Sequence, residues 1–179
     1  MKILRMGCMK MKSEQNWNTN GTIHAIPRLY VMVGCPGSGK STWAKKHLPD
    51  TYYVSRDEVR FSILQDGEDY FSHEKEVFNK FIELIKNALN HGDCIADASH
   101  LTKASRSKLF NALSDDDTKP FDVYYIFMDT PLAVCLKRNV QREGRARVPE
   151  DAICNMYAKL SMPVMNEYKY SKGIWIVRE

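Results

Sequence analysis

The residues best suited to chemistry in this 179-residue chain form a glycine-rich loop, Gly-Cys-Pro-Gly-Ser-Gly-Lys-Ser, at positions 34–41. The loop fits the pattern G-x-x-x-x-G-K-[ST], in which backbone N–H groups surround phosphate oxygens and the lysine reaches the β- and γ-phosphates of a nucleotide. Lys40 takes the lysine position, and the hydroxyl of Ser41 is placed to bind Mg²⁺. The residues expected to contact ATP here are Gly34, Cys35, Pro36, Gly37, Ser38, Gly39, Lys40, Ser41 and Thr42.

The sequence on either side of the loop predicts the structure that this motif requires. Residues 29–33 are a short apolar run, typical of a buried strand. Residues 42–48 can continue as a helix, which Pro49 ends. The positive end of a helix dipole would then point at the bound phosphates, which strengthens the prediction of an anion site.

A carboxylate and an arginine follow the second predicted strand, at residues 52–54. Asp57 and Arg60 are three positions apart, so they share one face of the first turn of the next helix. In open α/β sheets the carboxyl ends of the strands form the rim of the active site. There Asp57 could accept a proton from a substrate hydroxyl, and Arg60 could hold a substrate phosphate. The alternative is a purely structural role in which Ser55 and Glu58 form a capping box and the other polar residues only solvate the helix.

Asp97 closes a third predicted strand, at residues 94–96. A carboxylate at the end of a buried strand beside a phosphate loop is where a Walker-B-type residue is expected. Its alternative role is to cap the following helix, predicted at 103–113. We therefore treat Asp97 as a candidate for the site.

The densest basic stretch lies near the C-terminal third of the chain. Basic runs are often only the solvated face of a helix. Here, however, Gly144 and Pro149 bracket a short arginine-bearing segment, which suits a lid over nucleotide phosphates, where arginine can stabilise charge on a transferring phosphoryl group. The basic residues of the stretch are Lys137, Arg138, Arg142, Arg145 and Arg147.

Strand and helix patterns alternate along most of the chain, which predicts a parallel sheet covered on both faces. We expect an α/β, P-loop NTPase-type three-layer fold, with a parallel sheet of about five strands, helices on both faces and an arginine-bearing lid. Residues 1–27 have no clear period and are predicted to be a partly flexible N-terminal extension. Residues 28–179 are predicted to form the catalytic domain.

The bulk composition excludes few function classes. The formal net charge of +4 permits an anionic partner without requiring one. The five cysteines are scattered, which favours reduced thiols in the cytoplasm over a zinc site or a disulfide framework. No apolar run approaches the length of a membrane span, and the N-terminus has no secretion-signal pattern. We expect a cytoplasmic protein.

Together and in this order, the motifs resemble the 5′-kinase domain of bacteriophage-type polynucleotide kinases. The resemblance extends from about Leu29 to Pro163, and the loop with the helix start that follows it is its most specific part. The matching stretches are Gly-Cys-Pro-Gly-Ser-Gly-Lys-Ser-Thr-Trp-Ala at 34–44, Arg-Asp-x-x-Arg at 56–60, Lys-Arg-Asn at 137–139 with Arg142, Val-Pro at 148–149 and Met-Tyr at 156–157.

The resemblance implies an ATP- and Mg²⁺-dependent enzyme that transfers the γ-phosphate to a 5′-hydroxyl end of DNA or RNA, as in nucleic-acid end repair. It implies that Lys40 acts on the ATP phosphates, that Ser41 binds the metal and that Asp57 is the general base. It further implies that Arg142 stabilises the transferring phosphate, with Arg138 beside it at the ATP phosphates. A phage-encoded enzyme of this kind would act in the host cytoplasm.

On the acceptor side, the resemblance implies that Arg60 holds the phosphate adjoining the acceptor nucleotide and that Asp97 contributes to substrate binding. The family has Asp-Thr-Asn where this chain has Asp97 followed by Ala-Ser-His, so the resemblance does not extend to the acceptor contacts that follow Asp97. The chain has no Asp-x-Asp-Gly-Thr motif of the family's phosphatase domain, so we expect no removal of 3′-phosphates.

Two other functions remain open from the sequence. The first is the same kinase chemistry on another acceptor, such as a nucleoside, a modified base, a tRNA or a small molecule. The second is an ATP-gated binding protein without phosphoryl transfer, which the positioned Asp57 argues against. The spacing of Asp57 and Arg60 favours an acceptor that carries a nearby phosphate. The sequence identifies no protein partner.

Overall fold

A computed structural model describes residues 26–114 and 120–178, except for the side chain of Arg145. It also describes the backbone of three short strands closer to the N-terminus. Most of the predicted extension, residues 1–27, therefore lies outside the described residues. Within the described part of the chain, none of the helices combines the length and apolar character that a membrane span needs.

The described strands form one large sheet and one small hairpin. They are β1 (Lys2–Met6), β2 (Asn18–Thr19), β3 (Thr22–Ile23), β4 (Arg28–Val33), β5 (Tyr52–Ser55), β6 (Cys94–Asp97), β7 (Asp122–Asp129) and β8 (Ser171–Arg178). The large sheet has the order β1-β8-β7-β4-β6-β5, and β2 pairs with β3. All neighbours in the large sheet are parallel except β1 and β8. The predicted five-stranded parallel sheet is confirmed, and β1 adds an antiparallel edge strand from the predicted extension.

Six helices in the described ranges connect these strands. They are α1 (Lys40–His47), α2 (Arg56–Ile63), α3 (Glu74–His91), α4 (Lys103–Leu113), α5 (Leu132–Val140) and α6 (Glu150–Ala158), with short 3₁₀ turns at Gly144–Ala146 and Met165–Glu167. Ser55 caps α2 as predicted, since its Oγ accepts a hydrogen bond from the N–H of Glu58 at 3.3 Å. This cap starts α2 directly at the carboxyl end of β5, so the first turn of α2 lies on the rim of the sheet.

The side chains of the central strand β4 show why helices cover both faces of the sheet. Leu29, Val31 and Val33 point into a core shared with α3 and α4. Tyr30 and Met32 alternate with them and pack on the opposite face, against α1. Because both faces of β4 are buried, its sequence is a continuous apolar run, as expected for a central parallel strand. The predicted three-layer arrangement follows from this alternation.

A buried ion pair joins α4 to the 3₁₀ turn at Met165–Glu167. The fully buried Arg106 donates two hydrogen bonds to Glu167, from Nε to Oε2 at 2.6 Å and from Nη2 to Oε1 at 2.7 Å. It also donates to the carbonyls of His100 at 2.9 Å and Ser161 at 3.0 Å. The guanidinium is thus paired and hydrogen-bonded, as a buried charge requires.

Replacing Glu167 with glutamine is expected to lower the free energy of unfolding by about 3–5 kcal/mol, because the buried guanidinium of Arg106 would lose its counter-charge. Denaturant unfolding followed by circular dichroism would measure the change. Glu83→Gln is the matched control, since Glu83 forms an exposed pair with Lys80 at 3.0 Å and should cost no more than about 0.5 kcal/mol. Equal losses in the two variants would contradict a structural role for the buried pair.

Candidate active site

The glycine-rich loop connects β4 to α1, as predicted, and its backbone is fixed on two sides. The N–H of Gly34 donates to the carbonyl of Ser99 after β6, at 3.0 Å. Gly37 and Gly39 have φ values of +80° and +89°, a left-handed backbone that glycine adopts without strain. A Cβ at Gly37 would lie 2.4 Å from the carbonyl oxygen of Cys135 in α5. The absence of a side chain at this position lets α5 pack directly on the loop.

Lys40 lies at the centre of the predicted site. Its ammonium donates hydrogen bonds to the carbonyls of Gly34 at 3.0 Å and Cys35 at 2.9 Å. Burial lowers the pKa of Lys40, the negative charge of Asp97 and then that of Asp57 act to raise it, and the positive charge of Arg142 lowers it further. The charges of Asp97, Asp57 and Arg142 thus act in opposite directions on the pKa of this one ammonium group.

Ser41 and Asp97 form a direct contact between the loop and β6. The hydroxyl of Ser41 donates to Oδ2 of Asp97 at 2.6 Å, and the hydroxyl of Tyr53 on β5 donates to the same oxygen. Burial raises the pKa of Tyr53, and Asp97 raises it further, so the phenol stays a donor. This position beside the loop serine is the one expected of a Walker-B-type residue, and the predicted role of Asp97 in substrate binding stays a prediction. Sequence reasoning missed Tyr53, because its link to Asp97 depends on the pairing of β5 with β6.

Asp57 and Arg60 are in contact, and two residues missed from the sequence complete their network. Nη1 of Arg60 donates to Oδ1 of Asp57 at 2.9 Å, and the hydroxyl of Tyr70 donates to the same oxygen at 2.7 Å. Arg60 also pairs with Glu74 at the start of α3, which Arg56 contacts at 2.5 Å. The side chain of Asp57 is 67% exposed, whereas that of Arg60 is only 5% exposed. The network holds an accessible carboxylate in a fixed position, and the predicted contact of Arg60 with a substrate phosphate stays a prediction.

The predicted lid starts on α5, which packs against the loop. Oγ1 of Thr130, just before α5, donates to the carbonyl of Ser38 at 3.0 Å. Arg138 and Arg142 face a cavity of about 460 Å³ beside the loop. The residues that line the cavity are Gly37, Gly39, Thr42, Trp43, Lys46, His47, Met128, Arg138 and Arg142. Residues from the loop and from the basic stretch, far apart in the sequence, thus share one cavity.

A fully buried asparagine closes the base of the lid. Nδ2 of Asn139 donates to the carbonyl of Val148 at 2.7 Å, and the N–H of Val148 donates back to Oδ1 at 3.0 Å. The segment between them carries Arg142, whose Nη1 makes a long hydrogen bond of 3.4 Å to the carbonyl of Ala146. The two bonds of Asn139 fix both ends of the arginine-bearing segment. The sequence indicated the lid but not this role of Asn139.

His100 follows Asp97 on the loop that supports Gly34. It is buried, has a left-handed backbone with φ of +43° and hydrogen-bonds through Nδ1 to the carbonyl of Met32 at 3.0 Å. Burial lowers the pKa of His100 to about 4. The hydrogen bond to Met32 and the negative charge of Asp97 oppose this shift, and the positive charges of Arg56 and Lys40 add to it. The imidazole is therefore neutral in the folded protein near pH 7.

Because His100 is buried and neutral, we expect the folded protein to lose stability at acidic pH. The pKa of an unfolded histidine is about 6.5, so between about pH 6.5 and pH 4 the unfolded state binds a proton that folded His100 does not. As the pH falls through this range, the free energy of unfolding should decrease by up to about 1.4 kcal/mol per pH unit. His100→Asn, which tolerates a left-handed backbone, should flatten this part of the profile. Unfolding free energies measured between pH 4 and pH 7 would test it. Identical slopes in the variant and the wild type would contradict the assignment.

A family model described as "AAA domain" matches residues 29–163. The chain belongs to the AAA domain family. Among solved structures, this AAA domain is similar to a chain of the Pnkp1/Rnl/Hen1 RNA repair complex, with a TM-score of 0.63 and 24% identity over 80% of this chain and 47% of that one. It therefore spans about half the length of the RNA repair chain that it matches.

Two other solved structures show that the same fold serves different acceptors. A sugar kinase from Janibacter sp. HTCC2649 matches with a TM-score of 0.57 and 18% identity, covering 86% of both chains. A fungal RNA kinase matches with a TM-score of 0.57 and 12% identity over 87% of this chain and 38% of that one. These similarities confirm the P-loop kinase fold of the AAA domain. Fold alone does not select an acceptor.

Proposed function

We propose that this AAA domain is an ATP-dependent kinase that transfers the γ-phosphate to the 5′-hydroxyl end of a polynucleotide. The observation that carries the proposal is the accessible carboxylate of Asp57, which Arg60 and Tyr70 hold at the rim of the sheet. Phosphoryl transfer needs a phosphate cradle, added positive charge and an oriented hydroxyl. Each requirement has a candidate group at this end of the sheet.

On the donor side, the loop is proposed to bind the ATP phosphates through its backbone N–H groups. Lys40 would exchange its bonds to the carbonyls of Gly34 and Cys35 for phosphate oxygens. The cavity beside the loop, lined by Arg138 and Arg142, lies on the lid side of the bound phosphates. From there Arg142 can stabilise negative charge that develops on the transferring group.

The Ser41 and Asp97 oxygens suit a Mg²⁺ ion. Both are hard ligands of the type that Mg²⁺ prefers, and they meet at 2.6 Å beside the phosphate loop. Mg²⁺ usually takes one or two protein ligands together with substrate phosphates and water. When bound, the ion neutralises charge on the β- and γ-phosphates, and Ser41 and Asp97 are the residues that would hold it.

On the acceptor side, Asp57 is proposed to accept the proton of the attacking hydroxyl. Arg60, which is buried and paired with Asp57 and Glu74, positions this carboxylate. The ordered match to the polynucleotide 5′-kinase motifs and the similarity to the RNA repair chain support a polynucleotide. A sugar or another small alcohol is the second candidate, because the sugar kinase matches over 86% of both chains.

The test is transfer of radiolabelled γ-phosphate from ATP, with Mg²⁺, to three classes of acceptor: 5′-hydroxyl DNA, 5′-hydroxyl RNA and a panel of sugars and nucleosides. Labelling of an oligonucleotide by the wild type, with loss in Lys40→Ala, is the expected result. Lys80→Ala, which removes an exposed lysine of α3 outside the cavity beside the loop, is the control for the loss of a lysine. Labelling of a sugar without any labelled oligonucleotide would reject the polynucleotide acceptor and establish the second candidate.

A further inference from the structure

The segment between α2 and α3 presents an exposed aromatic ring beside the candidate general base. Phe71 is 64% exposed, more than any other large hydrophobic residue in the described ranges. Single exposed apolar side chains are common on protein surfaces and need no explanation by themselves. Phe71 differs from such residues in two ways. Its ring contacts a residue of the candidate active site, and hydrogen bonds stabilise the turn that carries it.

The connection to the site runs through Tyr70. The Phe71 ring packs edge-on against the ring of Tyr70, with centroids 5.1 Å apart and an interplanar angle of 85°. The Tyr70 hydroxyl donates to Oδ1 of Asp57 at 2.7 Å. Arg60 lies over the Tyr70 ring, 4.2 Å from its centroid, which fixes the ring further. Only one side chain therefore separates Phe71 from the carboxylate proposed to accept the proton.

Hydrogen bonds within the segment hold Phe71 in place. Oδ1 of Asp69 accepts from the N–H of Phe71 at 2.8 Å, and Oε2 of Glu68 accepts from the N–H of Gln65 at 2.8 Å. Glu68 also contacts the imidazole of His73 at 3.1 Å. These two carboxylates thus stabilise the turn itself. An ordered backbone beneath the ring lowers the conformational entropy that is lost when a ligand stacks on it.

We propose that Phe71, supported by Tyr70, forms an aromatic shelf that stacks with the terminal base of the acceptor strand; this inference rests on the proposed polynucleotide kinase function. A nucleotide with its 5′-hydroxyl at Asp57 carries its base on the same sugar, and Phe71 is separated from Asp57 by the Tyr70 side chain alone. Stacking on an aromatic ring tolerates any base, because every base has a π-face. The shelf therefore selects acceptors that carry a base over sugars without one, and it does not select among bases.

The experiment compares two oligonucleotides that differ only at the 5′-terminal residue. One carries a normal nucleotide, and the other carries an abasic tetrahydrofuran residue that keeps the 5′-hydroxyl. With the wild type, kcat/KM for the abasic end is expected to be lower by about 5- to 150-fold, the range that stacking of one base on an aromatic ring typically gives. Phe71→Ala should lose a similar factor on the normal end and no longer distinguish the two ends.

Three further variants sharpen this comparison. Phe71→Trp keeps a stacking face and should keep the preference for the normal end, whereas Phe71→Leu keeps the apolar volume without the ring and should lose it. Tyr52→Ala removes another exposed aromatic residue, at the start of β5, and should leave the preference intact. Thermal unfolding of each variant shows whether a loss comes from misfolding, and the substitutions to leucine and tryptophan retain the test if alanine is not tolerated.

Two results would overturn the shelf while leaving the proposed function in place: equal kcat/KM of the wild type on both ends, or a preference for the normal end that persists in Phe71→Ala and Phe71→Leu. Failure of the proposed function has a different signature. In that case the wild type would phosphorylate neither oligonucleotide under conditions in which it phosphorylates a sugar, and the shelf would fall with the function.

Discussion

Arg142→Ala is expected to lower kcat by about 10³- to 10⁵-fold, the contribution that an arginine on the transferring phosphate makes in related chemistry. Arg142 lines the cavity beside the loop, and its positive charge lowers the pKa of Lys40. Under the proposed function, this charge would stabilise the phosphoryl group in the transition state. Single-turnover transfer from radiolabelled ATP, with acceptor in excess, would measure the chemical step without product release.

Two variants show whether the effect belongs to this guanidinium. Arg142→Lys keeps the charge but loses the planar fork of donors, so we expect only partial recovery of the rate. Arg147→Ala removes an exposed arginine from the same segment that does not line the cavity in the described structure, and it should cost far less. A loss in Arg147→Ala equal to that in Arg142→Ala would indicate a general effect of lid charge and would contradict a specific role for Arg142.

The second large effect is expected for Asp57→Asn, which should lower kcat by about 10²- to 10⁴-fold, the usual contribution of a positioned general base. The amide keeps the size of the side chain and can still contact Tyr70, but it cannot accept a proton. Arg60 keeps a counter-charge in this variant because it also pairs with Glu74. The substitution should therefore leave the fold intact.

Binding measurements separate this effect from a loss of substrate. Binding of ATP, measured by isothermal titration calorimetry, should not be weaker in Asp57→Asn, because the proposed donor site consists of the loop, β6 and the lid, and the substitution removes a negative charge that acts on Lys40. Glu58→Gln is the matched control, as Glu58 is an exposed carboxylate in the same turn of α2, and its kcat should stay close to that of the wild type. A full rate in Asp57→Asn would contradict the proposed role of Asp57 as the general base.

The loop and its flanking elements could be predicted because they are local. Strand β4, the glycine turn and helix α1 occupy consecutive residues, and apolar runs, glycines and a proline define each of them. The contact between Asp57 and Arg60 was predictable for the same reason, since residues three apart on a helix are neighbours wherever the helix lies. The cap of α2 by Ser55 is also a contact within one turn.

Contacts between distant elements were not predictable in this way. Tyr53 reaches Asp97 only because β5 pairs with β6, and Tyr70 reaches Asp57 only because α2 packs near the start of α3. The edge strand β1 was also missed. Its residues pair only with β8, at the other end of the chain, and no periodic pattern of their own predicted it.

The amino-acid sequence by itself determined the phosphate loop, the alternation of strands and helices, and the identity of the charged groups that the chemistry needs. The tertiary structure decided how these groups are held. It buried Arg60 between two carboxylates, joined Ser41 and Tyr53 on one oxygen of Asp97 and tied the lid to its base through Asn139. The physical reason is that strand order and helix packing set the distances between residues that are far apart in the chain. Backbone geometry within a single turn sets the distances between near neighbours.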